Sequence, residues 1–255
     1  MDRKLQAILF DCDGVLAETE RDGHRVAYNA AFREMSIDAC WDPELYKKLV
    51  MISGGKERMR TYFSSLPEKF PQDQYNSHLI QLLYERKTRI YQKICYNGLL
   101  PTRPGIVRLI QEAHQASVGL FVCSTSHKDS VEALLCANAG AESLSWLTDL
   151  FCGDIVPRKK PAPDIYNAAI QKHHLDPSSC VVIEDSRNGL LAAKGAGISC
   201  IVTPSFYTIG EDFSEADAVI SSLGDPGGPK TELIRGGKLR ITHSYVSLED
   251  LRTVL

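Results

Sequence analysis

The sequence lacks long hydrophobic runs, and none of its 255 residues belongs to an apolar segment that approaches the length of a membrane span. Its first residues show no signal-peptide pattern, so we expect no targeting segment in this chain. An excess of positive charge is also missing, because 29 Lys and Arg stand against 32 Asp and Glu, for a formal charge of −3. Without a basic excess the chain lacks the net positive charge that is typical of proteins that bind nucleic acid. We therefore expect a protein that binds neither membranes nor nucleic acid.

Closely spaced cysteine pairs are absent as well. The eight cysteines are scattered along the chain, and none of them forms a C-x-x-C pair. This spacing argues against a zinc site and against the disulfide framework of a secreted protein. Several cysteines lie in apolar segments, where a reduced thiol behaves as a small hydrophobic group. The pattern indicates a reducing compartment and leaves open whether a thiol pair regulates the protein.

Strand patterns are missing between residues 19 and 95. Helical periodicity covers residues 19–35 and 72–94, and two further helices are predicted to begin at Asp42-Pro43 and near Lys56. Residues 5–10, L-Q-A-I-L-F, form a short apolar run before this region, of the kind expected for a strand buried on both faces. An all-helical insert is therefore predicted directly after the first strand.

Beyond residue 101 the pattern changes to alternating strands and helices. Strands are predicted at 118–123, 150–152, 180–183 and 199–202, and helices at 106–116, 129–139, 164–173 and 189–195. This alternation is typical of a parallel sheet with right-handed crossovers. We predict an α/β fold with a parallel-sheet core domain, residues 1–17 and 96–255, and a small helical cap domain, residues 18–95. The tail after Ser221 is predicted to end in a short strand and a helix.

Chemically active side chains follow the ends of these predicted strands. They are Asp11 and Asp13 after the first strand, Ser124, Thr125 and Ser126 after the second, Lys160 in a proline-rich loop, and Glu184 with Asp185 after the fourth. Ligands of open α/β sheets bind at the carboxyl ends of the strands. The acidic groups are hard oxygen ligands that suit Mg²⁺, whereas a lysine and a serine neutralise phosphoryl charge. A single Asp after a strand is equally consistent with a helix cap or an Asx-turn.

Four segments in this order resemble the motifs of the haloacid dehalogenase superfamily of phosphohydrolases: D-C-D-G-V, C-S-T-S, K-K-P-A-P-D and I-E-D-S-R-N-G. The helical insert resembles the cap domain of the phosphoglucomutase-like subgroup. L-A-E-T-E-R-D-G-H-R, G-G-K-E-R-M, E-R-K-T and R-P-G-I are similar to the CbbY group, more to its plastid members than to its bacterial ones. That group comprises xylulose-1,5-bisphosphate phosphatases, which clear an inhibitor of Rubisco.

The resemblance implies a two-step phosphoryl transfer. Asp11 would attack phosphorus to form an aspartyl-phosphate, and Asp13 would act as general acid and then as general base. The implied Mg²⁺ ligands are Asp11, Asp13 and Asp185, with Glu184 bound to the metal directly or through water. Lys160 and Ser124 would stabilise the transferring oxygens, and Thr125 and Ser126 would contact the substrate.

A sugar bisphosphate needs a second phosphate site, which we expect in the cap. The predicted substrate-binding residues there are Glu20, His24, Gly54, Gly55, Lys56, Arg58 and Lys87, and Arg103 is a further predicted contact in the core domain. For residues 54–58 the alternative is a glycine-capped helix with solvated charges. For Glu20 and His24 the alternative is polar pairing inside the domain.

The expected function is that of a Mg²⁺-dependent phosphatase that converts xylulose-1,5-bisphosphate to xylulose 5-phosphate. Two alternatives remain at this stage: a phosphomutase similar to β-phosphoglucomutase, and a non-catalytic regulator that binds a phosphorylated metabolite. The expected partner is a small sugar phosphate, and the expected state is a monomer. The plastid resemblance implies the chloroplast stroma; without it, the expected location is the cytoplasm.

Overall fold

The apolar run that precedes Asp11 forms the central strand of a sheet. The computed structural model describes residues 4–52, 54–71 and 73–255. Strand β1, Ala7–Phe10, is completely buried and pairs in parallel with β2, Gly119–Ser124, and with β4, Cys180–Glu184. Phe10 lies level with both Val122 and Ile183, so the three strands end at the same edge of the sheet. The residues that follow them are therefore brought together.

Further strands extend the sheet on both sides. They are β3, Asp149–Cys152, β5, Ser199–Val202, β6, Ala218–Ile220, and β7, Leu233–Arg235. The strand order is β3-β2-β1-β4-β5-β6-β7, and only the β6–β7 pairing is antiparallel among the described strands. The predicted α/β class with a parallel sheet is confirmed. Strand β6 was not predicted, because three residues are too few to show a periodicity.

Helices connect these strands at nearly the predicted positions. They are α5, Ile106–Gln115, α6, Lys128–Ala139, α7, Ser143–Trp146, α8, Asp164–His173, α9, Arg187–Gly195, and α10, Leu248–Arg252. The short helix α7 was not predicted. On one face of the sheet Leu9, Phe121 and Val182 pack with Tyr166 of α8 and Leu190 of α9 in a buried cluster. These contacts fix α8 and α9 over the sheet edge that carries the acidic residues.

The chain divides into two compact units, Met1–Glu18 with Pro101–Leu255, and Thr19–Leu100. The second boundary lies further along the chain than the expected position between 95 and 96. The reason is that the last helix of the second unit continues to Tyr96 and that Leu100 is buried. None of the helices in the described part of the chain is long and apolar enough to cross a membrane.

In the second unit helices joined by loops are the only regular elements among the described residues. A π-helical turn, Thr19–His24, precedes α1, Arg25–Glu34, α2, Pro43–Leu49, α3, Gly55–Ser64, and α4, Ser77–Tyr96. The Asp42 side chain caps α2 by accepting from the Leu45 amide at 2.8 Å, as predicted. Helix α4 is capped by Asn76, and the predicted start at residue 72 lies outside the described residues. Trp41, Phe32 and Phe63 form the aromatic centre of the unit.

Candidate active site

A largely buried lysine of the third motif contacts each of the other three motifs. Lys160 Nζ donates to Asp11 Oδ1 and to Glu184 Oε1, both at 2.6 Å, and to the carbonyl of Cys123 at 3.0 Å. Its side chain is 12% exposed, so this cation lies in a setting where water screens charge poorly. Burial opposes the charged form of Lys160, but the two carboxylates outweigh burial and raise its pKa. The lysine is therefore a permanent positive charge between β1 and β4.

Three carboxylates gather around that lysine. Asp11, Glu184 and Asp185 are buried, and each places an oxygen within 4.8 Å of the other two. Burial raises the pKa of Asp11 to about 7; Lys160 lowers it, and Glu184 and Asp13 raise it further. Burial, Glu184 and Asp11 raise the pKa of Asp185 well above its ordinary value. One lysine thus leaves the cluster short of positive charge, and its hard oxygen donors fit a divalent cation such as Mg²⁺.

Asp13 is held apart from this cluster by a serine loop. The Ser126 hydroxyl donates to Asp13 Oδ2 at 2.5 Å, and the Ser126 amide donates to Ser124 Oγ at 3.1 Å. Ser124 and Ser126 are buried, Thr125 is exposed, and Asp13 is half-buried. The Asp13 carboxylate is not a member of the three-carboxylate group. Two neighbouring carboxylates in different surroundings are suited to different tasks, one as nucleophile and one as proton donor.

Tyr166 is a site residue that sequence reasoning missed. Its hydroxyl donates to Glu184 Oε1 at 2.9 Å, and Lys160 Nζ lies 5.0 Å from the centre of its ring. Glu184 Oε2 accepts from the amides of Asp185 at 3.0 Å and Ser186 at 3.4 Å. Both oxygens of Glu184 are thus engaged by the protein, which fixes the carboxylate against Lys160. A tyrosine on the inner face of a predicted helix is ordinarily a packing residue. The helical periodicity therefore did not predict the hydrogen bond between Tyr166 and Glu184.

Asp185 contacts the segment after β5, which the sequence analysis did not assign to the site, and the glycine of the first motif. Thr208 Oγ1 donates to Asp185 Oδ2 at 3.4 Å, and a hydrogen bond from Ser205 lowers the pKa of Asp185. On the other side Gly14 has a φ of +81°, and a Cβ atom there would overlap the Asp185 carboxylate. Glycine is required at this position both for its left-handed backbone and for the close approach. The loop after Asp13 is therefore in contact with the acidic cluster.

Arg103, a predicted substrate contact, has a different environment in the structure. Its guanidinium donates to backbone carbonyls, among them those of Gly14 and Thr203. Burial lowers the pKa of Arg103, and the acidic groups Glu18 and Asp185 oppose that effect. The side chain is bound to the α/β unit itself.

In the helical unit, Arg58 is paired inside the protein. Its Nη1 donates to the Tyr46 hydroxyl at 2.5 Å and to Glu20 Oε2 at 3.3 Å, and Tyr46 in turn donates to Glu20 at 2.5 Å. The other terminal nitrogen donates to the carbonyls of Val50 and Ile52. Burial opposes the charge of Arg58, but Glu20 outweighs it and raises the pKa. For Glu20 the structure shows the polar pairing that the sequence offered as an alternative.

The remaining predicted cap residues form two small groups. Lys87 Nζ lies 3.0 Å from His24 Nδ1 and 4.9 Å from the centre of the Tyr28 ring. Lys56 lies in the first turn of α3, with its Nζ 5.1 Å from the centre of the Tyr84 ring. Gly54 precedes that turn with a φ of +91°, and a Cβ at Gly55 would approach the Tyr28 hydroxyl to 2.5 Å. Both glycines are therefore demanded by the backbone and by close packing.

Comparison with known proteins places this geometry in a family. A model of the haloacid dehalogenase-like hydrolases matches residues 5–197. A CBBY-like protein of Arabidopsis thaliana is 46% identical over 236 residues, which are 91% of this chain and 74% of that protein. Protein CbbY, plasmid, of Cupriavidus necator is 38% identical over 248 residues, 97% of this chain and 96% of that protein.

A solved structure agrees with these sequence matches. The crystal structure of a CbbY variant from Rhodobacter sphaeroides in complex with xylulose-(1,5)bisphosphate is 40% identical, with a TM-score of 0.76. The match covers 86% of this chain and 94% of that one. Together these findings confirm the family that the four motifs predicted. The chain therefore belongs to the haloacid dehalogenase-like hydrolases and is a phosphatase of the CbbY group.

Proposed function

We propose that this phosphatase hydrolyses a sugar bisphosphate, xylulose-1,5-bisphosphate to xylulose 5-phosphate, through an aspartyl-phosphate on Asp11. The observation that carries the proposal is the pairing of Asp11 with Lys160 at 2.6 Å beside Glu184 and Asp185, with Asp13 held separately by Ser126. A nucleophilic carboxylate, a fixed cation and a separate proton donor are what phosphoryl transfer to a carboxylate requires. The substrate is proposed from the CbbY relative that binds it.

In the first step an Asp11 oxygen attacks the phosphorus atom, and the bond between phosphorus and the sugar oxygen breaks. Asp13 gives its proton to the leaving sugar oxygen, so the sugar departs as an alcohol. Lys160 lies next to the attacking oxygen and offsets negative charge on the phosphoryl group. The products of this step are the aspartyl-phosphate and an ionised Asp13.

In the second step Asp13, now a carboxylate, accepts a proton from water while the water oxygen attacks the aspartyl-phosphate. The bond between phosphorus and Asp11 breaks, inorganic phosphate leaves, and both aspartates return to their initial states. The hydrogen bond from Ser126 to Asp13 Oδ2 fixes the orientation of the carboxylate in both steps.

We assign Mg²⁺ as the cofactor and Asp11 and Asp185 as its side-chain ligands. Burial raises the pKa of both carboxyls, the neighbouring carboxylates raise them further, and a dication would relieve the repulsion between these negative charges. Bound Mg²⁺ would neutralise charge on the phosphoryl oxygens. Glu184 accepts hydrogen bonds from Lys160 and Tyr166. We therefore assign it no direct bond to the metal, and any contact between Glu184 and Mg²⁺ would pass through a water molecule.

Mg²⁺ is expected to stabilise the protein more at high pH than at low pH. Asp11 has a folded-state pKa near 7, above its ordinary 3.8, so its contribution to stability in metal-free protein is lost as the pH rises through 7. Mg²⁺ requires the ionised form and acts in the opposite direction. At one Mg²⁺ concentration, 100 times the Kd at pH 8, Mg²⁺ should raise Tm by about 5–10 °C near pH 8 and by roughly half as much near pH 6, where its Kd is higher. Thermal unfolding with Mg²⁺ or EDTA measures this shift.

The control for the metal prediction is Asp185→Asn, which should remove the response to Mg²⁺ at both pH values because it deletes one ligand. Equal Tm shifts at the two pH values would contradict the expectation that Mg²⁺ binding requires loss of a proton from Asp11. A shift that survives Asp185→Asn would contradict the assigned ligand.

For the second phosphate of the substrate we propose Lys56 and the glycine-rich start of α3. The first turn of a helix presents unpaired amides to an anion, and Lys56 adds a positive charge. Lys56→Ala should therefore raise KM for a sugar bisphosphate about tenfold, which corresponds to about 1.4 kcal/mol, and leave KM for the monophosphate nearly unchanged. Steady-state kinetics with both substrates measures the difference.

Arg60→Ala is the matched control for Lys56, because Arg60 lies on the same helix, is exposed and pairs with Glu57 at 3.2 Å. It should change neither KM. An equal rise in both KM values for Lys56→Ala would remove the second-phosphate assignment.

Phosphate release from a panel of sugar mono- and bisphosphates tests the proposed function. Mg²⁺-dependent release of inorganic phosphate, fastest from xylulose-1,5-bisphosphate, is the expected result. A phosphomutase would instead return the phosphoryl group to the sugar and yield an isomer with little free phosphate. A regulator without catalytic activity would bind the sugar phosphate and release nothing.

We propose the chloroplast stroma as the location, where removal of xylulose-1,5-bisphosphate would clear an inhibitor of Rubisco. The support is the 46% identity to the plant relative. Recovery in the cytoplasm on cell fractionation would contradict this location. We also propose a monomer, for which light scattering should give the 28.3 kDa of one chain.

A further inference from the structure

Both terminal nitrogens of the Arg103 guanidinium are bound by the backbone of the protein. Its two terminal nitrogens donate to four backbone carbonyls, those of Gly14, Thr203, Pro204 and Ser221. The last three distances are 2.7, 3.0 and 3.0 Å. The remaining nitrogen, Nε, lies 3.8 Å from a carboxylate oxygen of Glu18. The Nε–Glu18 contact is an ion pair beyond hydrogen-bond distance, whereas both terminal nitrogens, which carry four of the five N–H donors of a guanidinium, are bound to backbone carbonyls.

The four carbonyls come from three different loops at one edge of the sheet. Gly14 follows Asp13 after β1, Thr203 and Pro204 follow β5, and Ser221 follows β6. The backbone around Arg103 is tied to the first loop as well, because its amide donates to the Leu16 carbonyl at 2.8 Å. Thr102 also forms a β-bridge with Ala17. The arginine thus connects the segment that carries Asp13 to the rest of the α/β unit.

The position of Gly14 affects two carboxyls of the site, those of Asp13 and Asp185. Asp13 is its direct neighbour in the chain, and the Asp185 carboxylate packs so closely that a Cβ on Gly14 would overlap it. A shift of Gly14 therefore displaces Asp13, Asp185 or both. Misplacement by about 1 Å of a group that transfers a proton costs on the order of 100-fold in rate.

We infer that Arg103 is a positioning residue for the reaction, which clamps the Gly14 backbone and thereby sets the place of Asp13. The inference rests on the proposed function, because it uses the acid–base role of Asp13. A lysine does not replace this clamp, since an ammonium has three donors at one point where the guanidinium presents a planar set of five.

The test uses Arg103→Lys and two phosphate monoesters with different leaving groups in the full-length protein. With xylulose-1,5-bisphosphate the leaving alkoxide needs a proton from Asp13, so the rate at which xylulose 5-phosphate is released in a single turnover should fall about 30-fold, with KM changed less than about threefold. With p-nitrophenyl phosphate the leaving phenolate needs no proton, so the rate at which p-nitrophenolate is released in a single turnover should fall less than about threefold. Single-turnover release of the leaving group reports the first step and excludes the later hydrolysis of the aspartyl-phosphate, for which Asp13 acts as base with both substrates. The leaving-group dependence is the readout that a merely structural role would not produce.

Arg108→Lys is the matched control. Arg108 likewise donates to backbone carbonyls, at 2.9 Å to Gly224 and Val246, but these belong to the C-terminal tail and not to the Asp13 loop. This variant should lower Tm as much as Arg103→Lys without a selective loss of the single-turnover rate. Equal losses of the single-turnover rate on both substrates in Arg103→Lys, or the same selectivity in Arg108→Lys, would overturn the inference.

Two further outcomes are distinguishable. A rise in KM for the bisphosphate with kcat unchanged would make Arg103 a substrate contact and overturn the clamp. Absence of phosphate release from both substrates by the unaltered protein would instead overturn the proposed function. If Arg103→Lys does not fold, Glu18→Gln removes the ion pair and leaves the four carbonyl contacts. It should lower the single-turnover rate about threefold with the bisphosphate alone, and equal losses of that rate on both substrates would overturn the inference.

Discussion

Asp11→Asn is expected to abolish phosphate release from every substrate, by at least about 10⁴-fold in kcat, because an amide oxygen does not attack phosphorus at a useful rate. The substitution keeps the size of the side chain, and Lys160 retains its bonds to Glu184 and to the Cys123 carbonyl. Binding of the sugar phosphate should therefore survive within about tenfold. Single-turnover kinetics gives the rate, and calorimetry with the unreacted substrate gives the affinity.

Formation of the aspartyl-phosphate on Asp11 can be detected directly with labelled substrate. In the unaltered protein, substrate labelled with ³²P and quenched in acid should leave label on Asp11, and Asp11→Asn should leave none. Asp38→Asn is the control for the loss of one negative charge, since its carboxylate is 94% exposed, and it should react at the normal rate. Label on another side chain, or turnover that persists in Asp11→Asn, would contradict the assigned nucleophile.

The sequence alone was sufficient to predict those site residues that act through their own side chains. Asp11 and Asp185 end short apolar runs, and parallel strands bring their carboxyl ends to one edge, so the pattern alone predicted a shared site. Lys160 was predicted through its motif as a cation that neutralises phosphoryl charge, and in the structure its Nζ donates to Asp11 and Glu184. Local spacing and strand topology suffice for such groups.

The contacts of Arg103 and Tyr166 could not be predicted from local spacing and strand topology. The four carbonyls bound by Arg103 come from loops that are far apart in the chain. Because every residue has a backbone carbonyl, the sequence does not indicate which of them an arginine will bind. Tyr166 has the periodicity of a core residue, because its ring is part of the core and only its hydroxyl reaches Glu184. In both cases the role depends on which polar atom is near, and tertiary packing alone decides that.

Lys160→Met is expected to damage stability and activity together. It leaves Asp11, Glu184 and Asp185 buried without their cation, and breaking a buried ion pair in this way costs about 3–5 kcal/mol of unfolding free energy. It also removes the charge next to the transferring phosphoryl group, so kcat should fall by about 10²–10³. Urea unfolding in EDTA gives the first quantity and steady-state kinetics the second.

The loss of stability should depend on pH with a definite sign. Lys160 lowers the pKa of Asp11, so its removal moves that pKa further above 7 and extends the pH range in which the carboxyl stays protonated. A carboxyl whose folded-state pKa is raised contributes stability at low pH and loses it as the pH rises through that value. The deficit of Lys160→Met relative to the unaltered protein should therefore be smaller near pH 6 than near pH 8.

Lys159→Met is the matched control for this position. The adjacent lysine is 48% exposed and pairs with Asp154, whose side chain is 81% exposed, so the variant should lose less than about 1 kcal/mol at either pH. If Lys160→Met were no less stable than Lys159→Met in EDTA, the three carboxylates would have to be neutral or hydrated in the folded protein. The cluster would then have no deficit of positive charge, and the main argument for a bound Mg²⁺ would fail with it.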